Sequence, residues 1–216
     1  SPDTRRIFLA DGDALTLSCR RLKQVLDYIQ KLFPNINRIS CYCLPRNLLN
    51  KNLSDLLKLK QSGLKMVYVG CESGDDEVLK LVHKGESYLS QKRALNLLKD
   101  AGIKTSVMIL NGLGGAKYSQ QHAIHSAYLM NECQPDYLST LVVTFPMGEK
   151  RFQQGFNGLF QPLSQHQLFQ EMEIFISELK LDSTIFRSDH ASNYLILKGV
   201  LNKDKSRLLS QLKLAI

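Results

Sequence analysis

The chain has 216 residues, 44% hydrophobic and 22% charged, with a formal net charge of +8. That size and balance suit one globular domain with a sizeable core. No apolar run approaches the ~20 residues of a membrane-spanning helix, and the opening SPDTRR lacks the apolar stretch of a signal peptide, so a soluble, cytoplasmic protein is expected.

The basic excess raises nucleic acid as a partner. The cations, however, are spread over helix faces (Arg20, Arg21 and Lys23; Lys58 and Lys60; Lys80 and Lys84) without interleaved aromatic residues. Solvated helix surfaces are therefore favoured, and a small anionic ligand stays open. The five cysteines, Cys19, Cys41, Cys43, Cys71 and Cys133, are an odd number set mostly in apolar segments. They read as reduced thiols and not as a disulfide framework.

The elements follow an alternating rhythm. A short strand over 6–10 ends at Asp11-Gly12-Asp13. Thr16 or Ser18 then caps a helix whose apolar positions, Leu22, Val25, Leu26, Ile29, Leu32 and Phe33, recur at helical spacing until Pro34. A second strand over 36–44 meets Pro45, and the helix after it closes at Gly63. The third strand, Met66 to Val69, runs through Gly70 into Glu72-Ser73-Gly74-Asp75. Two helices follow, ending at Gly85 and Gly102.

The fourth strand, 104–111, enters Gly112-Leu113-Gly114-Gly115, and Ser119 is expected to open the next helix. A fifth strand over 137–145 leads to a polar loop with Gly155 and Gly158, then a helix from Ser164 to about Leu181. The tail, SDHASNYLILKG, shows no clear period, and a short amphipathic helix covers about 203–212. Strand starts about 28 to 39 residues apart match the length of βαβ units. Five sequential parallel strands predict an α/β fold built as part of a (β/α) barrel, because a closed eight-stranded barrel takes about 250 residues. The first strand–helix turn, DGDAL, lacks the glycine fingerprint of a dinucleotide-binding sheet.

Parallel barrels carry their chemistry at the C-terminal ends of strands. Those ends hold Asp11-Gly12-Asp13, Cys41-Tyr42-Cys43, Glu72-Ser73 and Gly112 to Gly115. Helix capping is the plainer reading of Asp13 or Ser73 taken alone. Alternation puts Tyr68, Gly70 and Glu72 on one face, so an inward Glu72 needs a partner, such as a ligand ammonium or ribose hydroxyl. The glycines either let a ligand approach the backbone or form a tight turn. His122 and His125 are three apart on a helix, a weak metal pair that reads better as surface or interfacial histidines. Cys41 and Cys43 share a face, and buried inert thiols are favoured over a metal or redox site.

Four segments together resemble the radical S-adenosylmethionine (radical SAM) superfamily and its short Fe–S oxidoreductase branch. They are IFLADGDAL (7–15), YVGCESGDDEVLKLVHKG (68–85), AGIKTSVMILNGLGG (101–115) and DHASNYLILKG (189–199). The resemblance implies a partial (β/α)6 barrel that binds a [4Fe–4S] cluster and S-adenosylmethionine, whose reductive cleavage starts radical chemistry on a substrate. It implies that Asp11, Gly12 and Asp13 receive the methionine amino group, and that Glu72 and Ser73 sit by the ribose or methionine carboxylate. Gly112 and Gly114 would lie by the adenine, with Tyr42 lining the same pocket.

The family's CxxxCxxC cluster motif is absent, and no cysteine set replaces it by spacing. On this resemblance the chain holds the family's strands 2 to 6 without strand 1. The expectation is a fragment, inactive by itself, in which 1–185 form the partial barrel and 186–216 a C-terminal extension. The first strand would then be an edge open to pairing with a second copy. His190 and Asn193 are candidate substrate or partner contacts. The competing reading is a non-catalytic β/α binding module for an anionic metabolite or a protein partner.

Overall fold

Strands that alternate with helices pair in parallel, because the chain must cross back over the sheet before each new strand begins. The computed structural model describes residues 3–10 and 12–216. Its sheet has seven strands in the order β1 (Arg6–Leu9), β2 (Arg38–Cys43), β3 (Leu64–Glu72), β4 (Lys104–Asn111), β5 (Tyr137–Val142), β6 (Ile185–Ser188) and β7 (Leu197–Val200). The pairs β1–β2, β2–β3 and β5–β6 are parallel, and β6–β7 is antiparallel. The helices are α1 (Cys19–Leu32), α2 (Leu53–Gln61), α3 (Asp76–Leu81), α4 (Tyr88–Asp100), α5 (Gly115–Cys133), α6 (Lys150–Gly155), α7 (Gln165–Glu178) and α8 (Leu201–Ala215). This is an α/β fold with a mostly parallel sheet, consistent with the partial (β/α) barrel expected.

The chain divides into two units: Ser1–Gly70 with Ser90–Val107, and Cys71–Leu89 with Met108–Ile216. In the first unit, Ser18 accepts a hydrogen bond from the Arg21 N–H and starts α1. Leu22 and Leu26 are fully buried, while Val25 and Leu32 are 42% and 53% exposed, so the apolar stripe of α1 is narrower than its sequence suggests. Asn52 and Asp55 close a reciprocal capping box on α2. Leu56 and Leu59 of that helix join Ile39 and Leu64 in the core.

In the second unit α7 begins at a Ser164–Gln167 capping box and buries Leu168, Met172, Phe175 and Ile176. Phe186 of β6 is fully buried.

Four expectations change. The helix expected from Ser119 begins at Gly115, because the glycine turn runs straight into it and Glu171 of α7 serves its start. The polar loop contains α6, held by a ring cluster in which Phe152, Phe145 and Phe160 lie 4.8–5.6 Å apart. The tail without a period supplies β6 and β7, each too short at 4 residues to display an alternation, which makes seven strands of the expected five. The fifth strand stops at Val142 because the Asn193 side-chain amide takes over there. Its Oδ1 accepts the Val142 N–H at 3.0 Å, and its Nδ2 donates to the Thr140 carbonyl at 2.8 Å.

Candidate functional site

β3 does not fade into a loop; it ends on a reversal. Glu72 has a φ of +65°, and the Ser73 N–H donates to the Cys71 carbonyl at 2.8 Å. An i to i+2 hydrogen bond around a positive φ is the rare, strained kind of γ-turn. A non-glycine residue held there costs of order 1–3 kcal/mol and persists only where its surroundings over-determine it. The turn presents the Glu72 carboxylate, 20% exposed, to the Lys84 ammonium, 16% exposed, at 2.8 Å. Beside it opens a cleft of about 190 Å3 lined by Glu72, Val82, Leu110, Leu113, Arg151 and Phe152. The partner that an inward Glu72 required is thus Lys84, twelve residues on.

The residues after Glu72 hold the turn in place. Ser73 is fully buried. Its hydroxyl accepts the Asp75 N–H at 2.9 Å and lies 2.8 Å from His122 Nδ1. His122 Nε2 sits 3.0 Å from the Leu110 carbonyl, which can only accept. That places a proton on Nε2, which donates to the carbonyl. The Gly74 N–H donates to Ser126 Oγ at 2.8 Å. Asp75 caps α3 through the Val78 N–H, and its Oδ2 lies 2.6 Å from His125 Nδ1 and 3.0 Å from Gln121 Nε2. Gln121, His122, His125 and Ser126 of α5 thus interlock with Ser73, Gly74 and Asp75 around one turn.

Of the two histidines, His125 is exposed as expected and His122 is the correction. His122 is 1% exposed and belongs to the interior, although it was read as a surface or interfacial residue. Its neighbours at helical spacing, Ser126, Leu129 and Cys133, are buried as well, and that stripe was the readable signal.

The glycine turn is filled by the chain itself. The Gly112 N–H donates to Glu171 Oε1 at 2.6 Å, and Glu171 Oε2 accepts from Ser119 at 2.6 Å. Gly112 has a φ of +86°, and a Cβ there would come within 2.9 Å of Leu168. Gly114 caps α5 without a side-chain bond. Burial pushes the Glu171 carboxyl up, against the opposing pull of His122, Ser119 and the Gly112 N–H. Sequence reading passed over Glu171, yet an acid spaced with Leu168, Met172 and Phe175 on a helix face announces a buried carboxyl.

In the first unit, Gly12 and Asp13 follow β1, and Asp11 lies outside the described residues. Asp13 Oδ1 accepts the Leu15 N–H at 3.2 Å, capping a single 3-10 turn, while its buried Oδ2 has no hydrogen-bond partner. Desolvation raises the Asp13 carboxyl above its ordinary range, with the Leu15 N–H, the Asn47 side chain, the Leu44 N–H and the Lys51 charge pulling the other way. Tyr42 is 48% exposed and packs edge-on against Phe8 at 4.8 Å and Tyr68 at 6.3 Å. In the second unit, His190 Nδ1 lies 2.9 Å from the Ser192 hydroxyl and the Asn193 amide is spent on β5.

These residues answer two cofactors differently. An orphaned, buried carboxylate oxygen on Asp13 suits a hydrogen-bond-donating cation such as the ammonium of S-adenosylmethionine. The iron–sulfur cluster does not fit the described residues. No three His, Cys, Asp or Glu side chains among them gather as a metal site. Cys41, Cys43, Cys71 and Cys133 are buried, and burial pushes the Cys41 thiol up to about 12.

Comparison with known proteins gives a consistent pattern. The family model described as the radical SAM superfamily matches residues 2–125. The tRNA uridine(34) acetyltransferase of Methanocaldococcus infernus is 27% identical over 121 residues, 54% of this chain and 22% of that protein. Among solved structures, the N-terminally deleted archaeal Elp3 of Methanocaldococcus infernus aligns over 99% of this chain and 55% of its own, at a TM-score of 0.63 and 17% identity. Coproporphyrinogen III oxidase (HemN) of Escherichia coli covers 80% of this chain and 40% of its own, also at 0.63 and with 20% identity. Methylornithine synthase (PylB) covers 97% and 66%, at 0.54 and 15%. The chain spans about a fifth of the curated relative and about half of the archaeal structure.

Proposed function

This chain belongs to the radical SAM superfamily, and from that premise we propose that it forms the S-adenosylmethionine-binding part of an enzyme that performs radical chemistry on an as yet unidentified substrate. Glu72 carries the reading. A strained γ-turn fixed by a buried network at a strand end is the kind of outlier that functional sites retain. S-adenosylmethionine, when bound, supplies the sulfonium whose reductive cleavage opens the superfamily's chemistry. Asp13 would receive its ammonium through Oδ2, with Gly12 and Asp11 in the same segment. Tyr42 would offer a ring face. Glu72, steadied by Lys84, would accept from ribose hydroxyls, while Ser73 acts from inside to hold Glu72 in place. Gly112 and Gly114 would shape the turn on the adenine side, leaving the Gly112 N–H with Glu171.

Calorimetric titration of the chain with S-adenosylmethionine tests this. Saturable binding is expected, weakened about tenfold by Glu72→Gln, as loss of one charge-assisted hydrogen bond gives. Absence of binding by the unaltered chain, or indifference to both Glu72→Gln and Asp13→Asn, would sink the reading.

A second reading, in which the whole protein acts on RNA, is favoured by the match to a tRNA-modifying enzyme. The proposal also extends to β1. It is the first strand in the sheet order, and a second copy would pair along its outer edge. A molar mass that stays monomeric over a wide concentration series would reject that pairing.

A further inference from the structure

The first unit contains a cleft of about 670 Å3 between residues 15–20, which follow β1 and open α1, and residues 46–55, which follow β2 and open α2. β1 and β2 are parallel neighbours, so both segments leave the sheet at the C-terminal ends of adjacent strands. Ligands of parallel sheets collect at such ends. The volume falls within the roughly 300–1,000 Å3 typical of small-molecule sites.

The lining is rich in donors. Arg20, Arg46 and Lys51 face the cleft, against one carboxylate, Asp55. That carboxylate is already engaged, since Asp55 Oδ2 accepts the Asn52 N–H at 3.3 Å in the α2 capping box. Lys51 is held as a strut: Nζ donates to the Leu15 carbonyl at 2.6 Å and to the Asn47 carbonyl at 3.0 Å. An ammonium has three protons, so one remains for a ligand. The Arg20 guanidinium is exposed and has no hydrogen-bond or ion-pair partner among the described residues. No acidic residue offsets the first turn of α1. Three cations line one concavity against a single carboxylate that is already engaged, and guanidinium groups match phosphate oxygens in pairs.

We propose that this cleft binds a phosphate group, carried either by a free nucleotide-sized metabolite or by an oligonucleotide backbone. The cleft is built wholly from the first unit and does not rest on the reading of Glu72. Failure of the cofactor titration leaves it untouched.

The test uses the whole chain and three probes: pyrophosphate, adenosine monophosphate and a short single-stranded RNA, each titrated at two salt concentrations. Arg20→Glu and Arg46→Glu are compared with Lys31→Glu, an equal change of charge on an exposed residue outside the cleft lining. Expected is binding that weakens about tenfold or more in the two cleft variants and much less in the control. Binding of the small probes with no uptake of RNA identifies a free metabolite as the source. RNA displaced by pyrophosphate, with a salt slope about 0.7 shallower in Arg20→Glu, identifies a backbone phosphate. Either outcome supports the site. No binding of any probe, or equal weakening by Lys31→Glu, overturns it.

Discussion

At the scale of single residues, the unusual feature is a backbone angle, and its cost can be measured apart from its side chain. Glu72→Ala and Glu72→Gly both lose the ion pair with Lys84, but only glycine relieves the φ of +65°. The glycine variant is therefore expected to be more stable than the alanine variant by about 1 kcal/mol in denaturant unfolding. Equal stabilities would mean that the turn stores no strain. Glu171 gives a second measurement. Burial raises its folded carboxyl above the ordinary 4.5, so the unfolded chain ionises first as pH increases. This group's contribution to stability therefore declines as pH climbs from about 4.5 through the folded value and is restored on acidification. Glu171→Gln should flatten that part of the stability–pH curve. An unchanged curve would show that the carboxyl is not desolvated.

At the scale of elements, Glu72-Ser73-Gly74-Asp75 is the device that docks the end of β3 on α5. Contact there is close enough that a Cβ on Gly74 would run into the backbone of α5, 2.7 Å from Ser126 Cα and from the His125 carbonyl carbon. Since backbone cannot rotate aside, Gly74→Ala should destabilise by about 1–3 kcal/mol or more. It should also loosen Glu72, so S-adenosylmethionine affinity is expected to fall in samples that remain folded by circular dichroism. A variant with unaltered melting temperature and affinity would mean that α5 is not seated on the loop. Here the limits of sequence reading become physical. Glu72 was legible, because an acid after a buried strand is a local signal, whereas the cap of α3 is Asp75 and not Ser73, whose hydroxyl turns inward to His122. Lys84 and His122 were not, since their partners lie 12 and 49 residues away in sequence and only the folded chain brings them together. The same holds for α6, which ring packing stabilises and no periodicity announces.

At the scale of the whole molecule, the alternation of strands and helices was readable because each βαβ step leaves its own period, caps and glycine stops. The β6–β7 pair was not, because strands of 4 residues carry too little pattern to stand out from a loop. A global check on the remaining core comes from the thiols. Of the five cysteines, only Cys19 is partly exposed; its Sγ lies 3.6 Å from the Asp55 carbonyl, and desolvation pushes this thiol up as well, making it harder to ionise. Cys41 and Cys43 alternate on β2 with the exposed Tyr42, so the same face of that strand carries both buried thiols. A thiol must ionise and meet its reagent to react, and Cys41 pushed to about 12 does neither in the folded state. The native chain at pH 8 should therefore release at most one equivalent in a disulfide-exchange assay, slowly, and five after denaturation. Two or more fast equivalents from native protein would place Cys41, Cys43, Cys71 or Cys133 in contact with solvent. The packing of β2 and of the end of β3 would then be wrong at the very strands that present Tyr42 and Glu72.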